Sequence, residues 1–170
     1  MVHYHIRPIH WDNPHELEEI AKAETICFPA AEAASPESIQ QRAAAFPESF
    51  LVAEEDSPVQ GRLVGFINGC TTDRTTISDD MFEDVSAHCP NGAYQAIFGL
   101  DVLPDCRRQG IAASLMNTLI EVSRAAGRKG LILTCKDRLI HYYEKFGYRN
   151  MGISQSTHGG AVWYDMILEF

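Results

Sequence analysis

Apolar positions along the chain change period several times, and each change predicts an element. His3 to Ile9 alternates loosely up to Pro8, the pattern of a half-buried strand. Asp12-Asn13-Pro14 then opens a helix, with proline near its first position and Glu16 in the first turn. Leu17, Ile20, Ala21, Ala23 and Ile26 fall along one face of this helix, which stops at Phe28-Pro29. Ser35-Pro36-Glu37-Ser38 starts a second helix, with Ser35 as N-cap and Pro36 at N1, running through Ile39 and Ala43 to about Phe46-Pro47. Phe50 to Ala53 and Leu63 to Ile67 are short apolar runs joined by a polar, Pro- and Gly-containing connection, which reads as a hairpin.

Thr71 to Gly92 is long and polar, with Ser78-Asp79-Asp80 as a start signal for a short helix to Val85. A connection of that length inside a compact domain is usually functional or mobile. A strand follows, ending at Leu103, then an arginine-rich turn and a helix to about Ala126, with Gly127 suited to its C-terminal cap. Leu131 to Thr134 is a short buried strand, Leu139 to Phe146 a helix closed by Gly147, and Tyr148 to Ser154 and Val162 to Phe170 a last strand pair around His158-Gly159-Gly160. The order β-α-α-β-β-β-α-β-α-β-β, without repeats or linkers, predicts a mixed α/β chain forming one domain over 1–170.

Composition narrows the function. The net charge is −9, which disfavours nucleic acid as a partner. It is also lopsided: residues 1–100 carry 5 Lys/Arg and 16 Asp/Glu, whereas residues 101–170 carry 9 and 7. An anionic ligand is therefore expected toward the C-terminal part and a cationic one near the acidic N-terminal part. The five cysteines, Cys27, Cys70, Cys89, Cys106 and Cys135, are scattered and include no CxxC pair. They read as free thiols of a reducing, cytoplasmic compartment, and the histidines show no metal-ligand spacing. No run is long enough to span a membrane and no signal-peptide pattern opens the chain, so no membrane partner is expected.

The chemistry concentrates at Cys106-Arg107-Arg108-Gln109-Gly110-Ile111-Ala112-Ala113, where a strand turns into a helix. Unpaired N–H groups and the positive end of the helix dipole meet there, and two arginines add fixed charge. No Lys-Ser/Thr follows Gly110, so a nucleoside triphosphate loop is disfavoured, and no GxGxxG marks a dinucleotide fold. A diphosphate bound without metal is the better match.

With its surroundings, this turn resembles a known family. Leu100-Asp101-Val102-Leu103-Pro104 followed by Arg107 to Ala112 resembles the acetyl-CoA motif of the GNAT superfamily of N-acetyltransferases, and Leu133 to Asp137 with His141 to Tyr148 resembles its closing motif. Cys27-Phe28-Pro29 with Glu32-Ala33-Ala34-Ser35, the strand Val64 to Gly69, and His158-Gly159-Gly160 with Trp163 are similar to the arylalkylamine (serotonin-type) branch. The resemblance implies a single-domain fold with a mixed, mostly antiparallel central sheet, a splayed parallel strand pair and about four helices. It implies acetyl-CoA as co-substrate, its pyrophosphate on the amides of Arg108 to Ala113 and its pantetheine arm along Leu100, Asp101 and Val102. Tyr143 then takes the place of the acid beside the thioester sulfur.

One departure stands out. The vertebrate branch carries two histidines on the strand before the turn, and Ala96 and Phe98 occupy those positions here. Two replacements for the lost base are open: Glu32, where the insect branch places a glutamate, and His158 in the last hairpin. Phe28, Phe66, Trp163 and Tyr164 are candidate apolar walls for the amine. A small arylalkylamine is the expected substrate. A diamine or polyamine is the alternative that the acidic N-terminal part favours, and a non-catalytic acetyl-CoA-binding module the one that the missing histidines favour. Both a monomer and a homodimer are compatible with the sequence.

Overall fold

The computed structural model describes residues 1–170. In chain order its elements are β1 (Tyr4–Pro8), α1 (Pro14–Cys27), α2 (Pro36–Ala45), β2 (Phe50–Glu55), β3 (Leu63–Asn68), β4 (Thr71–Thr72), α3 (Asp79–Glu83), β5 (Tyr94–Ile97), β6 (Gly99–Val102), α4 (Ile111–Ala125), β7 (Gly130–Cys135), α5 (Ile140–Glu144), β8 (Arg149–Ile153) and β9 (Tyr164–Glu169). Five helices form where the sequence suggests about four. This is an α/β fold whose strands are mostly antiparallel, with one parallel pair. The chain gathers into two compact units, 1–68 with 99–119 and 69–98 with 120–170.

In the first unit, both expected helix starts carry their caps. The Asn13 side chain accepts N–H groups from His15 at 3.0 Å and Glu16 at 3.4 Å, and Ser35 Oγ accepts Ser38 N–H at 3.1 Å. The sheet is antiparallel in the order β1-β2-β3-β6, which leaves β6 on its edge. Ile20, Ala23, Ile39 and Ala43 from the helices pack with Phe50, Val52, Leu63 and Phe66 from the strands. Phe66 lies 5.8 Å from Phe50, ring to ring, and is 1% exposed, so it is a core residue rather than a wall for a substrate.

The face that α1 buries differs from the one its apolar spacing suggests. Glu16, Ile20, Ala23 and Glu24 are buried, while Ile26 is 59% exposed. Burying a carboxylate is costly unless it is paired, so periodicity assigns glutamates to solvent. Here partners outside the helix reverse that assignment. Glu16 takes Arg7 at 2.5 Å and the His10 N–H at 2.6 Å, and Glu24 Oε2 takes the Ala34 N–H at 2.8 Å.

The second unit holds a five-stranded sheet in the order β4-β5-β7-β9-β8. Its parallel ladder runs from Tyr94 opposite Gly130 to Ile97 opposite Leu133. The strand expected to run unbroken to Leu103 therefore divides at Phe98: β5 pairs with β7, and β6 pairs with β3 of the first unit's sheet. The long polar segment 71–92 is ordered by contacts far away in sequence. It contains β4, α3 and a 3₁₀ turn at Val85–Ala87, and Asp79 accepts hydrogen bonds from Ser156 Oγ and Thr157 N. At the end of α4, Gly127 has φ +77°, Gly127 N–H reaches Arg124 O and Arg128 N–H reaches Ser123 O, a Schellman closure.

Candidate active site

In the first unit, β6 runs through a 3₁₀ turn at Pro104–Cys106 into the arginine-rich turn. Arg107 is extended, Arg108 has φ +61° and Gly110 φ +81°. The first helical hydrogen bond of α4 runs from Ser114 N–H to Gly110 O at 3.0 Å. The N–H groups of Ile111, Ala112 and Ala113 thus precede any helical acceptor and are open to an anion. A Cβ at Gly110 would meet nothing within 4 Å, so the positive φ, and not crowding, calls for glycine. Arg107 and Arg108 are exposed, and the turn is braced from within the unit. Arg107 Nε donates to Val102 O at 2.9 Å, Val2 N–H donates to Gln109 Oε1 at 2.8 Å, and the Tyr4 and Ser114 hydroxyls meet at 2.8 Å.

Beneath the same strand lies an acidic interior. Asp101 is 2% exposed, and burial, reinforced by the charge of Glu24, holds its carboxyl well above the usual carboxylate range. Cys27 Sγ donates to Val102 O at 3.5 Å, and burial pushes its thiol up against the opposing pull of Arg107. Glu32 sits half-buried in the loop joining α1 to α2, where its N–H bonds to Pro29 O at 2.9 Å. A cavity of about 790 Å³ also opens between α1 and α2, lined by residues such as Trp11, Leu17, Ile26 and Gln40, and none of the candidate residues line it.

The second unit holds the remaining candidates. Tyr143 on α5 is partly exposed, with ring centroids of Tyr142 at 5.2 Å and Tyr148 at 5.9 Å, both edge-on. His158 lies in a 3₁₀ turn and stacks on Phe82 at 4.6 Å; Phe82 in turn contacts Phe98 at 5.0 Å. Trp163 Nε1 donates to His158 O at 2.8 Å, and Lys136 Nζ lies 5.5 Å over the Trp163 ring. Phe98, at one of the two family histidine positions, is thus one ring away from His158. Ala96, at the other, is fully buried, and its N–H bonds to Cys70 O.

Phe82, which stacks on His158, and Glu24 and Asn68, which lie near Asp101 and Gly99, were not singled out by the sequence. Phe82 is an aromatic residue in an otherwise polar segment, and Glu24 falls eight positions after Glu16 on the helix stripe that packs inward. Those two irregularities are the available signals. No group of three or more His, Cys, Asp or Glu side chains has a geometry that would hold a metal ion.

An edge strand feeding a cationic turn, with amides at a helix start that lack helical acceptors, is an arrangement of an α/β fold that can accept an anion through its backbone. The chain matches the acetyltransferase (GNAT) family over residues 15–148, and it belongs to that family. Serotonin N-acetyltransferase of Mesocricetus auratus is 29% identical over 108 residues, covering 63% of this chain and 51% of that protein. The chain thus spans about half the length of that curated relative. The loading GNATL domain of CurA from Lyngbya majuscula superposes with a TM-score of 0.80 at 13% identity, over 98% of both chains. A GNAT family acetyltransferase from Brucella melitensis, in complex with acetyl-CoA, aligns with a TM-score of 0.58 at 21% identity, over 100% of this chain and 90% of its own. At those identities the two structures establish the shared fold.

Proposed function

We propose that this protein transfers the acetyl group of acetyl-CoA to the primary amine of a small molecule that carries an aromatic arm. The observation that carries the proposal is the open turn at 107–113, whose amides and arginines suit a diphosphate, in a chain of the acetyltransferase family. The pantetheine arm adds to the edge of β6 at Leu100, Asp101 and Val102 through backbone groups. Arg107, Arg108 and Gln109 frame the pyrophosphate, with Gly110, Ile111, Ala112 and Ala113 beneath it. The row of rings from Phe98 through Phe82 and His158 to Trp163 favours an aryl substituent over a polyamine chain.

Acetyl transfer breaks the thioester C–S bond, forms the amide C–N bond and takes two protons from the ammonium nitrogen of the substrate, a gain of one on the coenzyme A thiol and one in solvent. Tyr143 gives a proton to the departing thiolate and recovers one from solvent. Glu32 attracts the cationic amine at the α1–α2 loop and helps remove its proton through water, with His158 as the second candidate for that task. The five free thiols suit a reducing, cytoplasmic compartment.

A panel of amines assayed by release of free thiol from acetyl-CoA tests the proposal. Turnover of tryptamine or phenylethylamine is the expected result. Preference for spermidine or putrescine would overturn the aromatic specificity, and binding of coenzyme A without turnover of any amine would overturn the enzymatic role.

A further inference from the structure

In the second unit, Asp165 on β9 stands opposite Thr134 on β7. Thr134 lies two positions after Ile132, which stands opposite Ala96 on β5. Side chains alternate across a sheet, so Asp165, Thr134, Ile132 and Ala96 share one face. The β7–β9 register, carried one residue past Cys135 and Tyr164, sets Lys136 against Trp163, and Lys136 Nζ does lie 5.5 Å over the Trp163 ring. Trp163 is 6.3 Å from His158, ring to ring, and His158 leads through Phe82 to Phe98. The face that carries Asp165 is therefore the face on which the row of rings stands.

The surroundings of this carboxyl suit it to take up a proton. Asp165 is half-buried, and its Oδ1 is enclosed without a hydrogen-bond partner. Ser154 Oγ accepts the Ser156 N–H at 3.1 Å and turns its own hydrogen to the Asp165 carboxyl. A carboxylate with one oxygen in a dry wall is poorly solvated, so burial raises its proton affinity against the opposing hydrogen bond of Ser154. The charged or titratable groups on the elements around it are Lys136 after β7, His158 in the 158–160 turn, Asp79 on α3, and Arg149 on β8. Asp79 accepts from Ser156 Oγ, and Arg149 is engaged with Glu169 at 2.9 Å. Burial is the larger effect on Asp165.

We propose that Asp165 is a further catalytic base, which contacts the substrate ammonium and takes the first of the two protons that leave its nitrogen. The proposal rests on the acetyltransferase function above. An amine whose aryl group lies on the row of rings presents its ammonium to the sheet face that carries Asp165. There the N–H bond breaks and an O–H bond forms on the carboxylate. The lone pair left on nitrogen forms the amide C–N bond as the thioester C–S bond breaks. Asp165 then gives its proton to solvent, while the second proton leaves with the help of Glu32 and Tyr143 protonates the thiolate. A carboxyl whose proton affinity is raised by burial is better matched to this task than a solvated one.

The test compares pH profiles of kcat/KM for two amines, with coenzyme A affinity measured by calorimetry. Phenylethylamine is an ammonium at neutral pH, whereas the fluorines of 2,2-difluoro-2-phenylethylamine leave it largely neutral there. Asp165→Asn keeps the shape of the side chain and removes the base. It should lower kcat/KM for phenylethylamine by ~10²–10⁴-fold, the usual range for a lost general base. The remaining rate should follow the fraction of free amine in solution. The difluoro amine, which has no ammonium proton to lose, should keep nearly its wild-type rate, and coenzyme A affinity should not change. A merely structural role would lower both amines alike, and that result overturns the proposal. Full activity of the variant with phenylethylamine also overturns it, while leaving the acetyltransferase function standing. Should Asp165→Asn fail to fold, Ser154→Ala decides. It removes a hydroxyl that favours the ionised carboxyl, so the rising limb should move to higher pH, and an unmoved limb overturns the proposal. A wild type that turns over neither amine removes both the base and the function it serves.

Discussion

Gly110→Asp separates ligand binding from folding, because the structure gives the two effects different sizes. At φ +81° with nothing within 4 Å of the built Cβ, the substitution meets no clash. Its folding cost is backbone strain, about 1 kcal/mol for a residue that tolerates the left-handed region fairly well. For a chain of this size that is a fall in Tm of about 2–4 °C. The effect on coenzyme A is larger. A carboxylate about 4 Å from a phosphate charge is repelled by about 4 kcal/mol at an effective dielectric constant near 20. The turn is exposed, and halving the repulsion for solvent leaves ~2 kcal/mol, or ~30-fold in Kd. Gly110→Ala supplies the control, since it carries the strain without the charge. Calorimetric titration of both variants with coenzyme A, alongside thermal unfolding, measures each quantity. The Asp penalty should shrink as salt rises, while the Ala effect should not. A folded Gly110→Asp protein that binds coenzyme A as tightly as the wild type would refute the placement of the diphosphate at this turn.

Tyr143→Phe keeps the ring contacts with Tyr142 and Tyr148 and removes only the hydroxyl, so kcat should fall by ~10²-fold or more with acetyl-CoA affinity unchanged, as steady-state kinetics and calorimetry would show. Glu32→Gln should raise KM for a cationic amine if the carboxylate only attracts it, and should lower kcat as well if it also takes part in removing the proton. Glu16→Ala removes the buried acceptor of Arg7 and of the His10 N–H, leaving Arg7 its pair with Glu54 at 3.1 Å, and should cost about 1–3 kcal/mol in urea unfolding. Burial pushes the Cys135 thiol up to about 11, so it should resist thiol reagents in the native state. Its folded pKa lies above the unfolded value, so its contribution to stability is complete below the ordinary thiol pKa of 9 and is lost as pH rises toward about 11. Rapid native-state labelling of Cys135, or stability that holds flat through that window, would count against this assignment.

What the chain determines locally was legible without coordinates. Asn13-Pro14 and Ser35-Pro36 start helices because a side-chain oxygen beside a proline satisfies nearby N–H groups, and the structure shows both caps. Gly110 and Gly127 stand at positive φ where a turn enters and leaves α4, again a matter of a few adjacent residues. The cationic turn itself is contiguous, so its charge and its open amides could be read from 107–113 alone.

Tertiary structure decided what depends on residues far apart. Phe66 reads as a possible substrate wall and proves to be core, because the strands that bury it and Phe50 lie elsewhere in the sequence. The polar segment 71–92 is ordered by Asp79 meeting Ser156 and Thr157, more than seventy positions away, and the ring row of Phe82 and His158 follows from that tie. Glu24 and Asp101 are each ordinary charged residues in sequence, separated by 77 positions. Only the packing of α1 against β3 and β6 takes both carboxyls out of water and brings them against each other near Gly99. Local propensity is set by neighbours along the chain, whereas burial, and with it the proton affinity of a carboxyl, is set by whatever the fold brings into contact.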